Sequence, residues 1–564
     1  MERPTKKILL VLFCSVLLLA VVITITTTSA ASRRKSKSFL TVASHAVVKQ
    51  SCSSTLYPDL CFETLTSAST LLHSKSSQKD VILSSVNLTR TAVEHQYFKF
   101  SKIYGHNTSK LTEREKCAVH DCLEMIDETL YELRKVEDDL NVYPGGGVSL
   151  ARQADNLETL LSATMTNQES CLDGFAHNSV CRKLRSSLED GVMHVSKMCS
   201  NSLAMIKTMT GADIKAAGAV VDRRLSENEE SGFPEWMSVG DRRLLQAKSV
   251  KANVVVAKDG SGDYKTISAA VKAAPEKSKS RYIIHIKSGK YKENIEVSKK
   301  KKNIMFIGDG RSKTIITGSR NVVDGSTTFR SATLAVVGER FLARDIRIEN
   351  TAGPSKHQAV ALRVGSDLSA FYNCEFIAYQ DTLYVHSLRQ FFTGCVVKGT
   401  VDFIFGNAAV VLQNCDLQAR RPNKGQKNMF TAQGRDDPNQ NTGISIHKCK
   451  IRAASDLAPV RSSFPTYLGR PWKKYSRTVV MKSSISNVIH PKGWFPWSGN
   501  FALSTLFYGE YANFGAGAGT SKRVNWKGHK VITRSSEATK FTPRSFIGGS
   551  GWLGSTGFPF KLDL

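Results

Sequence analysis

Acidic side chains are scarce in the second half of this 564-residue sequence. Residues 1–245 hold 29 basic and 28 acidic side chains, whereas residues 246–564 hold 49 and 21. Nearly the whole formal charge of +29 therefore belongs to the C-terminal part. A domain so short of acid should seek a polyanion: nucleic acid, anionic lipid or an acidic polysaccharide. Cysteine is also sparse. Twelve residues are too few to scaffold so long a chain, and with no CxxC pair a zinc ribbon is excluded. No GxSxG elbow, HExxH or P-loop occurs, which removes the serine-hydrolase, zinc-protease and NTPase readings. Asp259-Gly260-Ser261-Gly262-Asp263 lacks the GK[ST] ending of a phosphate loop and reads as a turn. With 41% hydrophobic residues, 39 Gly and 15 Pro, the chain is not disordered, collagen-like or a polytopic membrane protein. Its length allows about three or four domains, or fewer if one is a long solenoid.

The one long apolar run lies at the start. Arg3, Lys6 and Lys7 precede Ile8–Ile25, broken only by Ser15 and Thr24, and Ser29, Ala30 and Ala31 follow. Residues 1–31 thus read as a signal peptide or an uncleaved signal anchor, with membrane anchoring through residues 8–25 in the second case. Arg33, Arg34, Lys35 and Lys37 beyond the run blur the positive-inside reading. Either route enters the secretory pathway. Two glycosylation acceptor triplets agree with it, Asn87-Leu88-Thr89 and Asn107-Thr108-Ser109. Cys52 and Cys61 could close a short loop in an oxidising compartment, and buried free thiols are the alternative for several cysteines.

Residues 45–215 have a helical rhythm. Val119, Leu123, Ile126, Leu130, Leu133 and Leu140 paint one apolar face. Leu157, Leu160, Leu161, Met165, Leu172 and Phe175 paint another, with Gly145-Gly146-Gly147 breaking the chain between them. The expectation is an all-α up-and-down bundle. Its His120 and Asp121 are expected on a solvated face. A polar linker, residues 216–250, follows. It carries two dibasic sites, Arg223-Arg224-Leu225 and Arg242-Arg243-Leu244-Leu245, which invite a processing protease.

Residues 251–555 change texture to short β-branched runs punctuated by Gly and Asn. Cys374, Cys395 and Cys415 are 21 and 20 residues apart, Gln358 and Gln380 are 22 apart, and Asp381 and Asp402 are 21 apart. A parallel β-helix stacks coils of this size about 4.8 Å apart, making such residues neighbours. Gln380 and Asp381 then lie beside Asp402, with Gln358 one coil below. Two carboxylates so close disfavour double ionisation, which suits an acid beside a nucleophile or base. Glutamine N–H groups can stabilise an oxyanion without quenching a carboxylate. Arg470, in Leu468-Gly469-Arg470-Pro471-Trp472, could hold an aspartate ionised, and Trp472 offers a flat face to a sugar.

The segments Gln358–Leu362, Tyr379–Tyr384, Gly399–Gly406 and Leu468–Trp472 resemble, in order, the signature motifs of plant pectin methylesterases. The similarity extends over nearly all of 250–560. The helical part, with Cys52/Cys61 and Asp121-Cys122-Leu123-Glu124, is more diffusely similar to that family's inhibitor-like pro-domain. The resemblance implies a two-domain protein whose C-terminal part is a right-handed parallel β-helix. It implies demethylation of cell-wall homogalacturonan with no metal or organic cofactor and no nucleic-acid partner. By motif, Asp402 is the nucleophile, Gln380 with Gln358 stabilises the anion, and Asp381 is the proton donor and then the base. Arg470, Trp472, Gln358 and Thr328 line the substrate groove. Cys395–Cys415 is the implied disulfide. The pairing of Cys117, Cys122, Cys171, Cys181 and Cys199 stays open. The protein is expected to be secreted to the cell wall, with separate inhibitor proteins as further partners. Two rival readings remain: a β-helical hydrolase cutting the glycosidic bond with paired carboxylates, and a non-enzymatic pectin-binding or inhibitor protein.

Overall fold

The computed structural model describes residues 42–67, 76–106, 111–176, 181–221 and 251–564. The apolar run at 8–25, Asn107 and both dibasic sites, including Arg242, Arg243, Leu244 and Leu245, lie outside the described residues. Among the described residues no helix is long and apolar enough to cross a membrane.

Among the described residues six helices form the N-terminal bundle: α1 (Val42–Ser53), α2 (Pro58–Ser67), α3 (Gln78–His106), α4 (Glu113–Val142), α5 (Leu150–Asp173) and α6 (Arg182–Val221). Helix α4 begins on a capping box. The Thr112 side chain accepts from Glu115 N–H, and the Glu115 carboxylate takes the Thr112 N–H. Val119, Ile126, Leu133 and Leu140 recur every seventh residue and are buried, while Leu123 and Leu130 flank them half-buried. The Gly145–Gly147 break separates α4 from α5. Cys52–Cys61 joins α1 to α2, and Cys122–Cys171 staples α4 to α5 across 49 residues. Closing a loop of that length constrains the unfolded chain by about 4 kcal/mol. Cys117, Cys181 and Cys199 are free.

The rest is a parallel β-helix of three sheets, with 11, 7 and 8 strands. Strands adjacent in a sheet belong to successive coils, so each coil visits every sheet once. Around the middle coils the offset is 21 residues (Leu362 opposite Leu383, Leu383 opposite Ile404). Later coils lengthen at their corners: Ile404 faces Thr431 and Gln413 faces His447. The interior is a ladder of stacked apolar rows that draws on no bundle residue. Within it Phe371 and Phe392 lie parallel with ring centroids 4.7 Å apart. The C-terminal tail, with Phe541, Trp552 and Phe558, packs on the outer face of the 11-stranded sheet against Phe391 and Val411. Nothing in the strand pattern foretold that cover.

One sequence expectation needs correction. Cys395 and Cys415 do not form the implied disulfide; both are free and buried. With Cys374 and Cys449 they precede strands paired in register (Glu375, Val396, Asp416 and Lys450 stand in line). Each thiol donates to backbone carbonyls instead, Cys395 to Phe371 O at 3.4 Å and Cys415 to Gln413 O at 3.4 Å. The first acceptor triplet lies within a helix. Asn87 lies inside α3 accepting from Arg90, and Thr89 is fully buried, bonded to Ser85 O.

One corner recurs in nearly every coil with a left-handed residue: Asp345, Asn373, Gly394, Asn414, Lys448, Lys482 and Ala512 all have positive φ. Asn and Asp tolerate this region and can bond locally, as Asn373 does to Asp345 at 2.6 Å. Alanine has no such compensation and bears a cost of about 1–2 kcal/mol. Ala512→Gly should therefore raise unfolding free energy by up to about 1 kcal/mol, after allowing for glycine's looser unfolded chain. Asn373→Val should lower it by about 2 kcal/mol through strain and the lost bond. Urea unfolding of the two variants checks both signs.

Candidate active site

Asp381 and Asp402 stand at the entrances of neighbouring strands, Leu383–Val385 and Ile404–Gly406. Leu383 faces Ile404, and Asp381 N–H donates to Val401 O at 3.1 Å. The two residues are thus one strand spacing apart, about 4.8 Å. Both have left-handed backbones, with φ of 64° and 51°. Strain of this kind persists only where the surroundings impose it, and it clusters at functional sites. The side chains are 7% and 6% exposed.

Arg470 separates the roles of the two carboxylates. It follows strand Thr466–Gly469, where Gly469 runs so close to Thr431 that no Cβ would fit. Its Nε donates to Asp402 Oδ1 at 2.8 Å and Nη2 to Oδ2 at 2.6 Å, a bidentate charge-assisted pair. The guanidinium also lies 4.3 Å from the Trp497 ring centroid. Burial works against the Arg470 charge, but the Asp402 carboxylate outweighs it. Asp381 makes no ion pair among the described residues. Burial first, then the Asp402 charge, push its carboxyl well above the usual range against the pull of Arg470. The site therefore presents a carboxylate held and aimed beside a carboxylic acid that keeps its proton.

Gln358 and Gln380 are half-buried, and neither side-chain amide has a protein hydrogen-bond partner among the described residues. Gln358 stands level with Gln380 on the next coil: Ala359 N–H donates to Gln380 O at 3.3 Å, and Thr382 O then accepts from both Ala361 and Leu362 N–H, which absorbs the one-residue change of register. Thr328 is half-buried at the head of the turn Phe329–Ser331, its carbonyl accepting from Ser331 Oγ. Trp472 is half-buried 6.0 Å from Phe405, which stacks on Tyr384 at 4.2 Å. Arg363, Tyr384 and Phe405 align across three strands. They form a stripe three residues along from the acids that the sequence reading missed. The same 21-residue step from Tyr384 to Phe405 was there to find it. No three His, Cys, Asp or Glu side chains among the described residues converge so as to hold a metal ion.

The bundle lies on this face. Tyr384, Phe405, Val360 and Ala432 share one apolar cluster with its core. From α5, Ser170 meets His386 Nε2 at 2.9 Å, Thr166 accepts from Asn407 at 2.9 Å and Glu169 pairs with Lys473 at 2.5 Å. From α4, Asp121 and Glu124 both pair with Arg330, at 2.5 and 3.1 Å. Asp121 is 1% exposed, which overturns the solvated face expected for it. Helix α4 is polar there because it meets a polar sheet, not water. Burial raises Asp121 to about 6 even beside Arg330, raises Asp173 to about 6, and raises Glu128 to about 8.

The Pectinesterase family model matches residues 253–550, and the model for Plant invertase/pectin methylesterase inhibitor matches residues 46–205. Pectinesterase 3 of Citrus sinensis is 65% identical over 522 residues, 92% of this chain and 89% of that one. Pectinesterase/pectinesterase inhibitor 3 of Arabidopsis thaliana is 62% identical over 549 residues, 94% and 92% of the two chains. The solved pectin methylesterase from carrot is 72% identical with a TM-score of 0.56. It is covered over 100% of its length by 56% of this chain, an extent equal to the β-helical part.

If the Asp402 charge helps raise Asp381, then Asp402→Asn should move the Asp381 titration to lower pH while burial keeps it above the ordinary carboxylate range. The protonated-carboxyl infrared band, followed against pH, checks this.

Proposed function

The chain belongs to the pectinesterase family, with an inhibitor-type bundle ahead of its catalytic β-helix, and from that premise we propose how this site removes methyl esters from pectin. The family acts on the plant cell wall, so the place of action is extracellular. The observation carrying the mechanism is the carboxylate of Asp402, clamped by Arg470, beside the protonated Asp381. Asp402 attacks the ester carbonyl of a methylated galacturonate unit. The free amides of Gln380 and Gln358 donate to the tetrahedral oxyanion. As the C–O bond breaks, Asp381 gives its proton to the methoxy oxygen and methanol leaves, with an acyl group on Asp402. Asp381, now ionised, takes a proton from water, whose oxygen attacks the acyl carbon. The polymer carboxyl is released and Asp402 is restored. Trp472, Tyr384 and Phe405 offer flat apolar faces to the sugars, and Thr328 is a further residue for the groove. An ester oxyanion explains the two unpartnered glutamines, which a pair of carboxylates cutting a glycosidic bond does not require.

The bundle stands over that aromatic stripe, so the attached bundle excludes the polymer. Its removal at a dibasic site, most simply after Arg242-Arg243-Leu244-Leu245, would open the groove. The carrot relative, a solved chain no longer than the β-helix, and the separate interior core support an independent catalytic unit. Mass spectrometry of wall-extracted protein should find an N-terminus near Gln246.

Methanol release by residues 251–564 from methylated pectin tests the reading. Asp402→Asn should abolish it, and Asp381→Asn should cut it by about 10²–10⁴-fold. Near-normal release by a folded Asp402→Asn protein would exclude the covalent route. The interface carboxyls predict a pH dependence as well. Asp121, Asp173 and Glu128 are all raised while docked. Their neutral forms therefore favour docking, fully so in the ordinary carboxylate range, and that contribution is lost as pH rises through about 6 to 8. The activity of the full chain, divided by that of residues 251–564, should climb across this window.

A further inference from the structure

Arg470 is carried by an edge strand. Strand Thr466–Gly469 ends the seven-stranded sheet and pairs on one side with Asn428–Gln433. Its other side has no further strand among the described residues, and a bare edge exposes a row of unpaired backbone groups. An irregular segment, residues 489–497, covers it instead. His490 N–H donates to Thr466 O at 2.8 Å, Leu468 N–H to Gly493 O at 2.7 Å and Phe495 N–H to Gly469 O at 3.0 Å. Two residues beyond Phe495, Trp497 lies against the Arg470 guanidinium, 4.3 Å from the ring centroid. A segment without a ladder of its own needs another anchor to stay in register with the strand.

That anchor is a buried carboxylate on a different sheet. Trp494 is fully buried in the interior core and stacks on Tyr508 with centroids 4.2 Å apart. Its indole N–H donates to Glu510 Oε1 at 3.1 Å. Glu510, on strand Phe507–Tyr511 of the 11-stranded sheet, is 2% exposed. Arg523 grips it with Nε to Oε1 at 3.0 Å and Nη2 to Oε2 at 3.1 Å, and His529 Nε2 lies 3.2 Å from Oε1. Burial works against the Glu510 charge, but His529, Arg523 and Trp494 outweigh it and hold the carboxyl below its usual range. Arg523 also reaches back to the covering segment. Its Nη1 donates to Pro491 O at 3.0 Å, and its side chain lies against Gly493, where no Cβ would fit.

We propose that Glu510 is a positioning residue: through Trp494 it pins residues 489–497 to the edge of the Arg470 strand and so fixes the fork that aims Asp402. This rests on the reading of the site as an esterase and goes beyond it to what supports Arg470. The contacts run without a gap from Glu510 to Trp494, from Gly493 and Phe495 to Leu468 and Gly469, and so to Arg470. A bidentate fork tolerates little rotation, because two N–H groups must meet two oxygens at once. A small slip of the edge strand therefore reaches the nucleophile as a lost bond. Asp381 and Asp402 stand at inner strands and keep their places, so the loss falls on turnover and not on holding the polymer.

Residues 251–564, the extent matched by the carrot chain, carry the kinetic test, with thermal unfolding to confirm that each variant is folded. Glu510→Gln keeps the shape but sets an amide NH₂ against Arg523, and Trp494→Phe keeps the stack but deletes the N–H. Each should lower kcat for methanol release about tenfold while KM changes less than about twofold. Glu375 is the control, a buried carboxylate also shared by two cations, Arg347 and Lys398, but on the eight-stranded sheet. Glu375→Gln should lower the unfolding temperature and leave kcat within about twofold. In an Arg470→Lys background, where the fork is already lost, Glu510→Gln should cost less than about twofold in kcat. The same loss in both backgrounds overturns the proposal, as does an unchanged kcat in folded Glu510→Gln. Should Glu510→Gln not fold, Trp494→Phe, which leaves the Glu510–Arg523 pair in place, decides by the same cycle. Amide hydrogen exchange of the full chain gives a readout free of activity. With Glu510→Gln, residues 466–470 and 489–497 should exchange about tenfold faster and residues 381–385 at their former rate. Equal acceleration of 381–385, or none in 466–470, also overturns the proposal. If exchange changes as expected but unsubstituted residues 251–564 release no methanol, the esterase reading fails and the anchoring of Arg470 stands.

Discussion

Backbone hydrogen bonds between neighbouring coils decide where every functional side chain of the β-helix can stand. The bond from Asp381 N–H to Val401 O, and the pairing of Leu383 with Ile404 beyond it, fix two aspartates one strand spacing apart. Proximity on that scale is what burial needs to make one carboxyl keep its proton while the other is clamped. Arg470 belongs to the same ladder, since its own N–H donates to Thr431 O. Asp381, Asp402 and Arg470 are therefore held by strands of one sheet, with strand Asn428–Gln433 between the second and the third, and by no flexible loop. That is the rigidity a site needs when small displacements are costly.

The same regularity explains how far the sequence could be read. Around the active coils the repeat is 21 residues, so the step from Asp381 to Asp402 reports a real contact. Gln358 to Gln380 is a 22-residue step, and the extra residue is taken up where Thr382 O accepts from both Ala361 and Leu362 N–H, so the two glutamines still stand level. The cysteines show the limit of spacing more clearly. Cys395 and Cys415 are indeed stacked, but stacking on parallel in-register strands gives a ladder of thiols, each with a carbonyl to donate to, and no bridge. Beyond Gly406 the coils stretch at their corners, and no fixed period would have paired Gln413 with His447. The C-terminal cover over Phe391 and Val411 was illegible because it depends on a tail with no period of its own.

Asp121 failed for a different reason. Helical periodicity separates an apolar face from a polar one, but it cannot tell whether the polar face meets water or another protein surface. In α4 the apolar row of Val119, Ile126, Leu133 and Leu140 holds the bundle together, and the polar face meets Arg330, Arg363 and Thr327. The excess of positive charge after residue 246 was visible from composition, and so was the near balance before it. What composition hid is that some of the balancing acid sits directly opposite Arg330, Arg363 and Lys473 of the β-helix.

That arrangement also explains why the bundle can be both well seated and removable. An interface sealed only by apolar packing would leave the groove apolar once exposed, a poor surface for a polyanion. Here the apolar contact is confined to Tyr384, Phe405 and their neighbours, rings that a sugar can also use. The remainder is ion pairs and buried carboxyls whose net contribution to stability is small, because desolvation offsets most of their attraction. The surface that accepts the inhibitor-type bundle and the surface proposed to accept pectin can thus be one surface, because the rings that seat the bundle are faces that a sugar can also use.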